Sequence, residues 1–142
     1  MLYGQDRNQL RQVYLTAWQK YCAKQPLEPL EQLIAQVIAQ HPEYHKQLQA
    51  DTLEKDFDQA AGESNPFLHM GLHIAIQEQI KADHPPGIHL LYQQLLRKYQ
   101  DSHTTEHHML EILAETLWQA QQKGIPPDEQ YYLARLQQLQ NA

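Results

Sequence analysis

The sequence predicts an all-α protein, a single-domain bundle of five or six helices joined by short turns that contain proline and glycine. Apolar residues recur at spacings of three and four along nearly the whole chain, which is the period of an α-helix. Prolines and glycines separate these periodic segments, and no alternating strand pattern interrupts them. A chain of 142 residues has the length of one compact domain, so we assign residues 1–142 to a single helical domain.

Two helices are predicted at the start of the chain. Asp6 is a suitable N-cap for the first, and Pro26 and Pro29 separate it from the second. The residue before a proline avoids the helical region, so the second helix should break near His41, which precedes Pro42. The apolar faces consist of Leu10, Val13, Tyr14, Ala17, Trp18 and Tyr21 in the first helix and Leu30, Leu33, Ile34, Val37 and Ile38 in the second.

The middle of the chain predicts a short helix, a loop and a long helix. Residues 56–65 have the composition of a loop. Asn65 and Pro66 are residue types favoured at an N-cap and at the first helical position, so a third long helix should begin there. The apolar positions are Tyr44, Leu48 and Leu53 in the short helix and Leu68, Leu72, Ile76 and Ile80 in the long one.

Three more helices are expected in the C-terminal half. The first covers residues 88–99 and follows a turn of two prolines and a glycine. Asp101 or Ser102 caps the next helix, and Gly124 suits the left-handed residue after its end. The expected buried positions are Leu91, Leu95 and Leu96, then Leu110, Leu113, Leu117 and Trp118, and finally Tyr131, Tyr132, Leu133, Leu136 and Leu139.

Six of the nine histidines form three pairs whose members stand four residues apart. Residues at this spacing share one face of a helix, about 6 Å apart along its axis, so two imidazoles can bind the same metal ion. The pairs are His41/His45, His69/His73 and His103/His107.

The second and third pairs are expected to face the interior. On a helical wheel with about 100° per residue, His69 and His73 flank the apolar stripe of their helix. His103 and Glu106 fall on the apolar stripe of the next host helix, and His107 lies at its edge. Both pairs occupy the first two turns of helices that an up-down-up path makes parallel. The positive end of a helix dipole disfavours a charged imidazolium, and neutral imidazole is the form that binds metal.

We therefore predict a transition-metal site formed by paired histidines on two parallel helices. The main ligands are His69, His73, His103 and His107, and Glu106 is either a ligand or a carboxylate that orients one. His41 and His45 are further candidates, although Pro42 interrupts the helix between them. Four imidazoles suit zinc, copper or nickel, whereas imidazole mixed with carboxylate suits iron or manganese. The sequence does not choose among zinc, iron, copper and nickel.

Two enzyme-like interpretations stay open. Residues 103–107 match the inverted zinc-peptidase pattern H-x-x-E-H, but that chemistry also needs a third carboxylate ligand and a substrate cleft. Only Glu111, Glu115 and Glu129 follow in the short remainder of the chain. A non-haem iron site that uses His107 and Glu111 is the other candidate. Catalytic residues are therefore unassigned, and the sequence leaves open whether the protein is an enzyme.

The composition of the chain limits the kinds of partner that we expect it to bind. The formal net charge is −6 and the basic residues are scattered, which argues against nucleic-acid binding. No apolar run approaches the roughly 20 residues that span a bilayer, and no signal-peptide pattern opens the chain. A single cysteine fits a reducing cytosol. We expect a cytoplasmic protein with no nucleic-acid or membrane partner, and a protein partner or a homodimer is left open.

Four other side chains receive a structural interpretation. Cys22 is expected to be buried, and Trp118 is expected to be a core aromatic with its polar tip near the surface. Met70 and Met109 stand beside histidines, where Cu(I) ligation is one alternative. Filling of gaps in the core is the commoner role of methionine and is the one expected here.

Several segments resemble an uncharacterised proteobacterial protein family, domain of unknown function 1841. The resemblance rests on residues 26–31 (PLEPLE), 41–45 (HPEYH), 65–73 (NPFLHMGLH) and the stretch from Glu106–His107 to Leu117–Trp118. It runs along nearly the whole chain and implies a short stand-alone bacterial protein. The family has no established activity, so the resemblance implies no catalytic residue.

Two functional hypotheses follow from the sequence. The first is a small helical protein that binds a transition metal through its paired histidines. The alternative is a metal-free module for protein–protein interaction or structure, in which the histidines hydrogen-bond backbone carbonyls in the core.

Overall fold

The computed structural model describes residues 7–48 and 65–142. Within these ranges every regular element is helical, which confirms the predicted all-α class with six α-helices. The predicted cap at Asp6, the helical position Leu53 and the loop before Asn65 lie outside the described residues. The elements are α1 (Arg7–Cys22), α2 (Pro29–Ala39), a 3-10 helix (Pro42–Gln47), α3 (Pro66–Ala82), α4 (Ile88–Tyr99), α5 (Ser102–Lys123) and α6 (Glu129–Asn141).

The chain divides into two compact units, Met1–Ile74 and Ala75–Ala142, and α3 contributes residues to both. The assignment of residues 1–142 to one domain stays a prediction. None of the helices in the described ranges is long and apolar enough to cross a membrane.

In the first unit, α1 packs against α2 and the beginning of α3 contributes to the same core. The rings of Tyr14 and Phe67 stack with their centroids 6.0 Å apart. The guanidinium group of Arg11 lies over the Phe67 ring, 4.7 Å from its centroid. The buried core residues of this unit are Tyr14, Leu15, Ala17, Ile34, Val37, Ile38, Leu48, Phe67, Met70 and Ile74.

The start of α3 has the predicted cap. The side-chain oxygen of Asn65 accepts hydrogen bonds from the backbone N–H groups of Phe67 and Leu68, at 3.0 and 3.2 Å. Leu68, one of the apolar positions predicted for this helix, is 51% exposed. The helix buries two sides, one that contains Met70 and Ile74 and one that contains Ile76 and Leu72, and Leu68 points between them.

In the second unit, α4, α5 and α6 pack against one another. Asp101 caps α5 as predicted, since its side chain accepts a 2.8 Å hydrogen bond from the backbone N–H of Thr104. Gly124 ends α5 at φ 65°, a left-handed conformation that glycine adopts without strain. The largely apolar interior contains Ile76, Ile88, Leu91, Leu95, Met109, Ile112, Leu113, Tyr132 and Leu136.

Two expectations about burial are wrong. Cys22 is exposed, because it is the last residue of α1 and lies beyond the helix's buried face. Trp118 is 61% exposed. The buried stripe of α5 runs along Met109, Leu113 and Thr116, and Trp118 lies about 180° from Met109 around the helix. The methionine expectation is confirmed, because Met70 and Met109 are both core residues.

Candidate metal centre

His41 is positioned by the break between α2 and the 3-10 helix. Pro42 is the first residue of the 3-10 helix, so α2 cannot continue through His41, whose backbone is at φ −126° and ψ 67°. The ring turns back along α2, and its Nδ1 lies 2.7 Å from the carbonyl oxygen of Val37. Since a carbonyl can only accept, Nδ1 carries the hydrogen, and in the neutral ring the lone pair is on Nε2. That Nε2 atom is buried.

His69 and His73 are one turn apart on α3, as their spacing predicts. His73 is completely buried, whereas His69 is half-buried. Their ring centroids are 4.9 Å apart. The capped N-terminus at Asn65 fixes where α3 begins, and so fixes the rotational position of both rings on the helix.

The three imidazoles of the first unit form a triangle with nearly equal sides. The ring centroid of His41 is 5.0 Å from that of His69 and 4.7 Å from that of His73, and the third side is 4.9 Å. The rings meet edge to face, with interplanar angles between 61° and 78°. Three imidazoles carried by two separate elements thus converge on one point.

His107 joins these three as a potential ligand. Within residues 7–48 and 65–142, one ring nitrogen from each of four histidines lies within 4.8 Å of the corresponding atoms of the other three. Two of the four side chains are buried and two are half-buried. We call this group the histidine cluster; its members are His41, His69, His73 and His107.

Tyr44 borders the cluster, although the sequence predicted it only as an apolar position of a short helix. Its ring stacks on His41 with centroids 5.5 Å apart and an interplanar angle of 10°. The same ring meets His69 at 70°, with centroids 5.9 Å apart. Spacing alone gave no signal for this residue, because its place depends on the short 3-10 helix.

His45 lies outside the histidine cluster. Its Nε2 is 2.9 Å from the carbonyl oxygen of Ile38, and its ring packs on that of Trp18 with centroids 4.6 Å apart. The break at Pro42 separates it from His41: the two residues do not share a regular α-helical face. His45 therefore packs against α1 and α2 in the structure.

His103 and His107 are neighbours on the first turns of α5, with ring centroids 4.3 Å apart. His103 is half-buried, and its ligand atoms do not belong to the group of four. The structure thus brings together His69, His73 and His107 of the predicted main ligands, together with His41 from the additional candidates.

Glu106 is almost fully buried in the second unit and is also outside the group of four. Its Oε1 accepts a 3.1 Å hydrogen bond from the side-chain amide of Gln77. Burial raises the pKa of Tyr92, and the negative charge of Glu106 adds to this increase. The buried Glu106 carboxylate therefore interacts with two half-buried polar side chains, Gln77 and Tyr92.

The iron interpretation of the sequence pairs His107 with Glu111 as a carboxylate ligand, and the peptidase interpretation also needs a substrate cleft. Glu111 is exposed. Two surface cavities of about 350 and 170 Å³ are lined by residues such as Leu90 and Leu133 in the larger and Gln119 and Tyr131 in the smaller, and no histidine lines either one. The peptidase and iron interpretations therefore gain no support from these cavities.

Fold and site together define a small all-α protein with a cluster of four histidines able to hold a metal ion. Residues 6–138 match the family described as Domain of unknown function (DUF1841), so the chain belongs to that family. This confirms the resemblance drawn from the sequence, while proteobacterial origin stays a prediction. Comparisons with curated proteins and with solved structures gave no match.

Proposed function

We propose that this protein binds one transition-metal ion through His41, His69, His73 and His107. The observation that carries the proposal is the convergence of four imidazole nitrogens to within 4.8 Å of one another. Ligand nitrogens around a tetrahedral zinc ion, at about 2.0–2.1 Å from the metal, are about 3.3 Å apart. Side-chain rotation that draws the most distant nitrogens together by up to about 1.5 Å would therefore complete the site.

The hydrogen bond from His41 supports this proposal. Ligating histidines usually donate their second ring N–H to a carbonyl or a carboxylate, which fixes the tautomer and the ring orientation. The Nδ1–H of His41 donates to the carbonyl of Val37 in this way, and Nε2 keeps its lone pair. His41 thus has the arrangement expected of a ligand that is prepared before the metal arrives.

The donor set favours a particular class of ion. Neutral imidazole suits zinc, copper and nickel, whereas carboxylate and carbonyl oxygens suit magnesium and calcium. Iron was a candidate chiefly because a carboxylate could join the histidines, and the carboxylate of Glu106 is not in the group of four. We therefore propose zinc, copper or nickel ahead of iron. We also propose a cytoplasmic location, in keeping with the single cysteine.

The test is elemental analysis of purified, untagged protein by mass spectrometry, followed by titration with zinc, copper, nickel and iron. We expect one metal per chain that survives dialysis and is lost in the variant His41→Ala/His69→Ala. The matched control is His84→Ala/His89→Ala, which removes two exposed histidines and should retain the metal. Protein that arrives without metal and takes up none of the four ions would contradict the proposal.

Two single-residue variants separate the sequence-based ligand set from the structural one. His103 was a main ligand in the sequence interpretation, whereas His41 belongs to the histidine cluster. We expect His41→Ala to weaken metal binding strongly and His103→Ala to leave the stoichiometry unchanged. The reverse result would restore the set of His69, His73, His103 and His107.

The second candidate function is a metal-free interaction module. It is favoured by large apolar side chains on the surface of the second unit, where Leu90 and Trp118 are more than half exposed and so is Ile125. Exposed aromatic and aliphatic side chains are common at protein interfaces. Metal-free protein that elutes as a dimer, and becomes monomeric in Trp118→Ala, would favour this function.

A further inference from the structure

We infer that Tyr44 is a positioning residue for the metal site, one that holds His41 and His69 in the orientation that binds the ion. This inference rests on the proposed function, because it assigns a role at the same site. Tyr44 is not itself in the group of potential ligands. It would act through the two imidazoles that its ring contacts.

The first observation is that one ring contacts two members of the histidine cluster. The face of Tyr44 covers the face of His41, with the planes only 10° from parallel. Toward His69 the same ring makes an edge-to-face contact at 70°. Offset-stacked and edge-to-face arrangements are the favourable geometries for aromatic pairs, so each contact restricts the rotation of an imidazole.

The second observation is that Tyr44 is itself held in place. Its backbone N–H donates a 2.9 Å hydrogen bond to the carbonyl of His41, within the 3-10 helix that Pro42 begins. Its side chain is half-buried and packs against the apolar core of the first unit. A fixed ring can orient its neighbours, whereas a mobile one cannot.

The two observations give Tyr44 a role that complements the hydrogen bond between His41 and Val37. The carbonyl of Val37 selects the tautomer of His41 and fixes the position of its Nδ1 atom. Stacking on Tyr44 fixes the plane of that ring. Partners that orient metal ligands typically change metal affinity by about 10- to 100-fold when they are removed.

The experiment compares Tyr44→Leu, Tyr44→Phe and Tyr99→Leu with the wild-type protein. Zinc dissociation constants are measured by competition with a chromophoric chelator, and Co²⁺ spectra report the geometry of the site. Tyr99 provides the matched control because its ring stacks on His108 at 4.2 Å, outside the histidine cluster. Tyr99→Leu thus removes the same kind of contact from a different histidine.

We expect Tyr44→Leu to weaken zinc binding about tenfold and to alter the visible Co²⁺ spectrum. Tyr44→Phe keeps the ring and should retain both wild-type properties, as should Tyr99→Leu. If Tyr44 were only a packing residue, Tyr44→Leu would lower the stability of the metal-free protein and leave its dissociation constant unchanged. That outcome would overturn the inference, as would equal weakening in Tyr44→Phe.

A measurement on the wild-type protein covers the case in which Tyr44→Leu does not fold. The ring proton signals of Tyr44 should shift in nuclear magnetic resonance spectra during zinc titration, and those of Tyr99 should not. Zinc binding that leaves the Tyr44 signals unmoved would contradict the inference while the proposed function stands. Wild-type protein that binds no metal would instead contradict the proposed function, and the role of Tyr44 with it.

Discussion

Two polar clusters in this protein are built on opposite principles. The first, in the second unit, combines a carboxylate, a hydroxyl and a guanidinium, from Glu115, Tyr131 and Arg135. The carboxylate accepts 2.9 Å hydrogen bonds from the Tyr131 hydroxyl and from the Arg135 guanidinium, and that guanidinium also donates to the Tyr131 oxygen at 2.8 Å. The histidine cluster instead gathers four side chains of a single type, all capable of presenting a nitrogen lone pair.

The comparison shows how chemical composition separates structural clusters from candidate binding sites. Opposite charges and matched donors satisfy one another, so the group of Glu115, Tyr131 and Arg135 needs nothing from outside. Its members also shift one another's ionisation, since hydrogen bonds from Tyr131 and Arg135 lower the pKa of Glu115. Four imidazoles collect the same kind of donor atom at one point, which is the composition of a metal site.

The largest expected effect is stabilisation of the folded protein by zinc, which would depend on the histidine cluster and not on the group of Glu115, Tyr131 and Arg135. Saturating zinc should stabilise the folded protein by about 4 kcal/mol when its free concentration is a thousandfold above the dissociation constant. For a chain of this size that corresponds to a rise of roughly 10 °C in melting temperature. This rise is measured from circular dichroism melting curves recorded with and without zinc. His73→Ala should lose the rise, and Glu115→Gln should retain it.

The interpretation of that experiment depends on the zinc-dependent difference and not on either melting temperature alone. His73 is completely buried, so His73→Ala leaves a cavity and lowers stability in the absence of metal as well. His108→Ala is the matched control, because His108 stands on α5 beside His107 and is outside the group of four. An equal zinc-induced rise in His73→Ala and in the wild-type protein would contradict the proposed site.

The sequence predicted the helices well, because each long helix carries its own signals. The apolar period located α1 to α6, while Asp101 and Gly124 marked the two ends of α5. Such signals are local, so neighbouring residues are sufficient to predict them. Trp118 shows the limit: its side of α5 is set by which stripe packs against the rest of the unit, and that is a tertiary property.

The candidate site was predictable only in part, for the same reason. His69 and His73 lie one helical turn apart, so spacing alone placed them together. The location of His41 depends on the break before Pro42 and on the hydrogen bond to the Val37 carbonyl, neither of which a periodic pattern expresses. That break also sends His45 toward Trp18, although its spacing from His41 equals that of the other pairs.

A smaller effect tests how tightly the region of the histidine cluster is packed. Gly71 lies between His69 and His73 on α3, and a Cβ atom added there would be 3.1 Å from the hydroxyl oxygen of Tyr14. Alanine gains about 1 kcal/mol in helix propensity, but overpacking costs about 1–3 kcal/mol. We expect Gly71→Ala to lower the free energy of unfolding by about 1 kcal/mol net, as measured by urea denaturation.

The double variant Gly71→Ala/Tyr14→Phe identifies the cause of this loss. Without the Tyr14 hydroxyl the crowding disappears, and only the helix propensity of alanine remains. The double variant should therefore be more stable than Tyr14→Phe alone by about 1 kcal/mol. If Gly71→Ala destabilises both backgrounds equally, then crowding against Tyr14 is not the reason, and this side of α3 is less tightly packed than the distance indicates.

The smallest expected effect concerns the charge of Glu115. Because its pKa is lowered in the folded protein, its contribution to stability is complete above the unfolded-state pKa of about 4.3 and is lost as the pH falls through the folded-state value. Glu115→Gln should therefore reduce the melting temperature slightly at neutral pH, and the difference from the wild type should vanish in acid. The loss is small because the ion pair with Arg135 is about one-third exposed and is screened by solvent and salt.

The matched control for Glu115 is Glu111→Gln, one turn earlier on α5, where the side chain is exposed. It removes the same charge without removing a hydrogen bond to Tyr131 or Arg135, so it should have a smaller effect at every pH. A difference between Glu115→Gln and the wild type that persists unchanged in acid would show that neutral hydrogen bonds, and not the charge, hold this cluster together. The contrast with the histidine cluster would then rest on the types of donor atom alone, since neither cluster would draw its stability from paired charges.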